Sequence, residues 1–107
     1  MLMIRAIIRP EKLDTVLTAL SHEGFVALTV IDVYGRGRQG GVTIGEVHYH
    51  ELPKQMIMIV VKDEDKDKVV ETIMRTARTG EGHPGDGRIF ITPVEQSIPI
   101  RTGKPEC

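Results

Sequence analysis

Apolar and polar positions along the chain form one pattern that occurs twice. Met3-Ile4-Arg5-Ala6-Ile7-Ile8-Arg9-Pro10-Glu11-Lys12 leads into Leu13, Val16, Leu17 and Leu20, spaced i, i+3, i+4 and i+7. Fifty-three positions on, Met56-Ile57-Met58-Ile59-Val60-Val61-Lys62-Asp63-Glu64-Asp65 leads into Val69, Val70, Ile73 and Met74. Each copy reads as an apolar strand, a charged corner and a helix with one apolar face. Pro10 suits a first helical turn, where its missing N–H would find no partner anyway. Asp63, Glu64 and Asp65 suit the positive end of a helix dipole, and Arg75 and Arg78 fall near the negative end.

Each copy closes with a second strand. Val26 to Tyr34 follows the first helix, introduced by Gly24, and Ile89 to Val94 follows the second, with Pro93 expected at an edge or a strand end. The order βαββαβ predicts an α+β, ferredoxin-like sandwich of four antiparallel strands with both helices on one face. The opposite face also carries Ile, Val and Met. An apolar sheet that the helices leave uncovered predicts burial against other subunits, identical or paralogous.

Composition narrows this picture. At 107 residues the chain is expected to form one domain over 1–103, with a frayed, disordered tail at 104–107. Fifteen acidic residues against fourteen Lys and Arg leave no basic field for nucleic acid, and two Phe, two Tyr and no Trp leave few stacking platforms. The single Cys is residue 107, so no disulfide frame is available and a reducing cytoplasm is expected. No apolar run is long enough to span a membrane, and no signal-peptide pattern opens the chain.

Nine of the eleven glycines fall in two stretches. One is Thr79-Gly80-Glu81-Gly82-His83-Pro84-Gly85-Asp86-Gly87-Arg88. Its glycines can expose backbone N–H groups without Cβ atoms in the way, and Arg88 adds a fixed charge, a combination that suits a phosphate. A plain helix-to-strand connection is the alternative. The other stretch is the 35–54 segment between the second and third strands, read as a long mobile loop. Its His48-x-His50-Glu51 pattern could place two imidazoles on one strand face, but two ligands do not close a metal site.

Four patches resemble the PII family of nitrogen-regulatory signal-transduction proteins: Ile7 to Leu13; Gly35 to Gln39; Thr76 to Gly80 through Gly85 to Phe90; and Ile100 to Gly103. They occur in the family's order over essentially the whole chain. The resemblance implies a trimer, homomeric or mixed with a paralogous subunit, with ATP or ADP in the clefts between subunits. It also implies 2-oxoglutarate beside Mg-ATP, and a loop that docks on a target. By that resemblance Thr29, Met58 and Val60 line the adenine, and Gly85, Asp86, Gly87, Arg88 and Arg101 face the phosphates. Gly37, Arg38 and Gln39 form the base of the docking loop, with Gln39 near Mg and 2-oxoglutarate, and Lys54 pairs with the effector's distal carboxylate. Gly40, Gly41, Val42, Thr43, Ile44, Gly45, Glu46, Val47, His48 and Tyr49 make up the docking loop itself.

The chain departs from the usual pattern in several places. Pro99 replaces the first tail basic residue. The docking loop is about four residues shorter than in common bacterial members, and Glu81-Gly82-His83-Pro84 lengthens the other glycine stretch by about two. Tyr49 does not correspond to the tyrosine those members modify. These features resemble the archaeal nitrogenase-operon branch, which implies nitrogenase as the target. The rival expectations are a general PII regulator of an ammonium transporter or assimilation enzyme, a PII-like trimer for other ligands, and a small nucleotide hydrolase using Asp86.

Overall fold

The first strand, β1 (Leu2–Ile8), is the one on which the sheet is built. A computed structural model of the chain describes residues 1–37, 42–49 and 51–106, with backbone alone at Tyr49. The remaining elements are α1 (Leu13–His22), β2 (Thr29–Gly35), β3 (Val42–Ile44), β4 (Val47–Tyr49), β5 (Leu52–Val61), α2 (Lys66–Ala77) and β6 (Gly87–Pro93). The main sheet is antiparallel in the order β2-β5-β1-β6, the ferredoxin-like arrangement expected from the repeated pattern.

Alternation decides the two faces of the sheet. Ile4, Ala6 and Ile8 of β1 and Ile57, Ile59 and Val61 of β5 are buried against Val16, Leu20, Val69 and Ile73 of the helices. Each fully buried large side chain contributes about 1.5–3 kcal/mol. Residues one step out of phase form the other face, where Val60, Phe90 and Ile31 stay 41%, 46% and 37% exposed in the single chain. A helix-free apolar face is thus present, as the sequence predicts.

The helix ends follow the local chemistry. Both helices are preceded by a 3-10 turn, Pro10–Lys12 with proline in its first turn and Asp63–Asp65 with three acids. At the end of α1, Gly24 (φ 92°) lets its N–H reach Ser21 O (3.0 Å) while the Phe25 N–H reaches Leu20 O (2.8 Å). This is a Schellman closure, with Phe25 folded back onto the core. It moves the start of β2 from Val26 to Thr29, because Phe25 and Leu28 cover the core before the chain turns into the ladder.

Three further boundaries differ from the sequence reading. The ladder of β2 and β5 runs out to Gly35 opposite Leu52, so β5 begins four residues before Met56. Pro53 is tolerated there because β1 stops opposite Gln55, leaving that part of β5 without a neighbour on its other side. The 35–54 segment is therefore not all loop, and it carries a hairpin of its own, β3 against β4. Gly45 at φ 61° followed by Glu46 at negative φ is the type II′ pattern for a two-residue hairpin turn. The third is at the C-terminal end, where the chain turns back, with the Gly103 N–H on Pro99 O and the Glu106 N–H on Ser97 O, both at 2.8 Å. Among the described residues no helix is long and apolar enough to cross a membrane.

Candidate functional site

The sheet register carries the site. Gly87, Ile8 and Gln55 stand side by side in the ladder, so one residue further on Asp86, Arg9 and Lys54 come together at the same end. Arg9 precedes Pro10, which holds it extended (φ −64°, ψ 138°) and aims it past the end of β1 instead of into a helix.

The 79–88 loop consists of two tight turns locked by one carboxylate. Thr79 to Gly82 closes through Gly82 N–H to Thr79 O (2.9 Å), and His83 to Asp86 through Asp86 N–H to His83 O (3.1 Å). Pro84 and Gly85 (φ 93°) occupy the middle of the second turn, as a type II turn requires. Asp86 then accepts from the Thr79 hydroxyl, the Thr79 N–H (3.2 Å), the His83 N–H (2.9 Å) and Arg9 Nε (3.2 Å). His83 Nδ1 lies 2.7 Å from the Thr79 carbonyl and adds a second brace. Burial alone would push the Asp86 carboxyl up. The hydrogen bonds from Thr79, His83 and Arg9 outweigh it and hold Asp86 well below the usual carboxylate range.

Two cations clamp this loop from the sheet. Arg9 Nη2 donates to Pro84 O (3.0 Å) and Lys54 Nζ donates to Gly85 O (2.8 Å), so consecutive carbonyls are held by β1 and β5. Burial, and then the neighbouring Arg9 charge, draw the Lys54 ammonium below its ordinary value against the pull of Glu11 and Asp86. Arg88, exposed on β6, adds a third cation. With Asp86 already committed, this end of the sheet has an excess of positive charge beside an exposed turn. An anion fits such a place; a metal held by Asp86 does not, because its oxygens are taken. Among the described residues no cluster of three metal-ligating side chains exists. The same bonds commit Asp86 to bracing its own loop.

The other expected site residues lie elsewhere. Thr29 pairs with Met58, and with Val60 they share the helix-free face by register, nearer the β2 edge. Arg88 is on the opposite edge strand, about 14 Å from Thr29 across three strand spacings. Arg101 is exposed in the tail loop, and Gly37 is exposed just past β2. Arg38, Gln39, Gly40, Gly41 and His50 lie outside the described residues. In the hairpin Val42, Ile44 and Val47 share one exposed face, and Thr43 Oγ1 meets His48 Nδ1 at 2.7 Å on the other.

Arg9, Thr79 and His83 are site residues that the sequence reading did not single out. A signal existed for Arg9, because a cation just before a helix start faces the wrong end of the dipole and needs another partner. Thr79 and His83 gave none, since only the closed loop brings them to Asp86.

Comparison with known proteins bears on the whole chain. A family model described as "Nitrogen regulatory protein P-II" matches residues 1–104. The chain is 53% identical over 105 residues to "Nitrogen fixation nifHD1 region GlnB-like protein 1" of Methanosarcina barkeri, covering 98% of each. It is 53% identical over 102 residues to "Nitrogen fixation nifHD region GlnB-like protein 1" of Methanothermobacter marburgensis, covering 95% of each. It is 50% identical over 105 residues to "Nitrogen regulatory protein P-II 2" of Methanothermobacter thermautotrophicus, covering 94% of this chain and 90% of that one. A doubled strand-helix pattern, the β2-β5-β1-β6 sheet it forms and a match over nearly every residue lead to one conclusion: the chain belongs to the nitrogen regulatory P-II family.

Proposed function

We propose that this chain senses nitrogen and energy status by binding ATP or ADP together with 2-oxoglutarate, and that it controls a protein target through the 35–54 arm. P-II proteins are signalling regulators that form trimers and bind nucleotides and 2-oxoglutarate. The observation that carries the reading is the contact of Lys54, where the arm rejoins the sheet, with Gly85 of the glycine-rich loop. A ligand at one of these segments is in reach of the other, which is what coupling between an anion site and an arm needs.

In this reading Gly85, Gly87 and Arg88 receive the nucleotide phosphates, and Asp86 keeps their loop in shape. Gly37, Arg38 and Gln39 form the rim, with Gln39 beside a phosphate-bound Mg ion. Lys54 meets a 2-oxoglutarate carboxylate through a charge-assisted hydrogen bond. Thr29, Met58, Val60 and Arg101 complete the pocket from a neighbouring copy. The exposed Val60 and Phe90 face supports a trimer, homomeric or with a paralogous subunit.

The target proposed is nitrogenase, on the strength of the relatives named for nitrogen-fixation regions. A general regulator of an ammonium transporter or assimilation enzyme is the second reading, supported by the relative named simply as a P-II protein. Calorimetry with Mg-ATP, with and without 2-oxoglutarate, tests the sensor. Heat for 2-oxoglutarate that depends on Mg-ATP is expected, and its absence removes the role. Co-purification from a nitrogen-fixing extract decides between nitrogenase and the other targets.

A further inference from the structure

Lys54 has a partner before any effector arrives. Its Nζ donates to the Gly85 carbonyl at 2.8 Å, in the turn whose preceding carbonyl, Pro84 O, is held by Arg9 at 3.0 Å. The two bonds divide the work unequally. Arg9 is also tied to Asp86 by an ion pair of 3.2 Å and cannot leave without opening the whole brace. Lys54 has no such second bond among the described residues, and its neighbour Arg9 repels its charge.

We propose that Lys54 is a positioning residue for the glycine-rich loop in the ligand-free protein, and that an anion captured by Lys54 does so in exchange for the Gly85 carbonyl. Lysine is a compact ammonium on a flexible stem with three donors, so it can swing from a carbonyl to a carboxylate without moving the strand that carries it. Its release frees one side of the Pro84-Gly85 turn while Arg9 and Asp86 retain the other. Effector capture at the end of the arm thereby changes the shape of the loop next to it. The exchange rests on the effector reading above; the positioning role does not.

The test uses the full-length protein and two variants, Lys54→Met and Lys54→Arg. The first keeps the stem and loses the donor, and the second restores a cationic donor. In ligand-free protein the Gly85 carbonyl carbon resonance is expected to move upfield in Lys54→Met and to stay near its original position in Lys54→Arg. Amide exchange over 79–88 is expected to quicken by about five- to tenfold in Lys54→Met, the loss of one charge-assisted bond from a locally opening loop. Equal spectra and equal exchange in all three proteins overturn the positioning role. Adding 2-oxoglutarate to the unaltered protein already saturated with Mg-ATP is expected to move the Gly85 carbon further upfield, the direction of the Lys54→Met change. If it stays in place the exchange is overturned. Calorimetry on the same sample then separates two failures: bound effector with an unmoved carbonyl rejects the exchange alone, whereas no bound effector rejects the sensor reading as well.

Discussion

The two glycine-rich stretches of this chain are tied to the sheet in different ways. In 79–88, a single carboxylate gathers donors from both turns, and β1 and β5 each grip a carbonyl. In the 35–54 arm, β3 pairs with β4 in a two-stranded sheet separate from the main one. A two-stranded hairpin is marginal by itself in water, and its exposed Ile44 and Val47 gain nothing until something covers them. Glycine content therefore does not determine how a segment is tied to the sheet. What ties 79–88 is a half-buried carboxylate and the partners it gathers.

The contrast can be broken most severely at Gly87. A Cβ there would lie 1.8 Å from the Ile7 carbonyl oxygen, and its φ is 115°. Gly87→Ala is expected to cost roughly 3–5 kcal/mol, from strain and overpacking together, measured by urea unfolding. A change below about 1 kcal/mol would mean that β6 can leave the β1 ladder without consequence.

Asp86→Asn comes next, with an expected loss of about 2–3 kcal/mol near neutral pH, because an amide presents N–H groups to donors it cannot satisfy. The sign with pH follows from the depressed pKa. Stability from Asp86 is fully present above its ordinary value of 3.8 and is lost as pH falls below that value toward the folded pKa. The difference between the unaltered protein and Asp86→Asn should therefore shrink on acidification below about pH 4, as read by urea midpoints across a pH series. A gap that stays constant would remove the carboxylate as the brace.

The arm should respond in the opposite sense. Gly45→Ala places a side chain in open space at φ 61°, so about 1 kcal/mol of strain should loosen the hairpin without shifting global unfolding. Amide exchange at Val42 to Tyr49 should rise while the urea midpoint holds. The paired change Ile44→Ser and Val47→Ser should alter stability by less than about 0.5 kcal/mol, yet weaken target capture at least about tenfold in a pull-down. If capture were unaffected, the apolar side of the hairpin would not be the docking face.

Much of the fold was legible because it rests on local periodicity. Leu13, Val16, Leu17 and Leu20 announce a helix face, Ile4, Ala6 and Ile8 alternate as a strand must, and Pro10 and Gly24 mark the ends of α1. The hairpin was also written in the alternation of Val42, Thr43 and Ile44 before Gly45-Glu46, but the glycines before it favoured a loop reading. The candidate loop stood out in the sequence through its glycines and Arg88. Its internal chemistry was not.

By itself, the sequence determined the two strand-helix copies, their antiparallel sheet and the family to which they belong. Those depend on neighbours within a few residues and on patterns that any strand or helix must obey. Only the tertiary structure decided that Asp86 braces its own loop, that Arg9 joins it there, and that Lys54 holds Gly85. Arg9 and Asp86 are 77 positions apart and Lys54 and Gly85 are 31 apart. Their meeting depends on the register of three strands, and hydrogen bonding at such distances is settled by where the sheet ends.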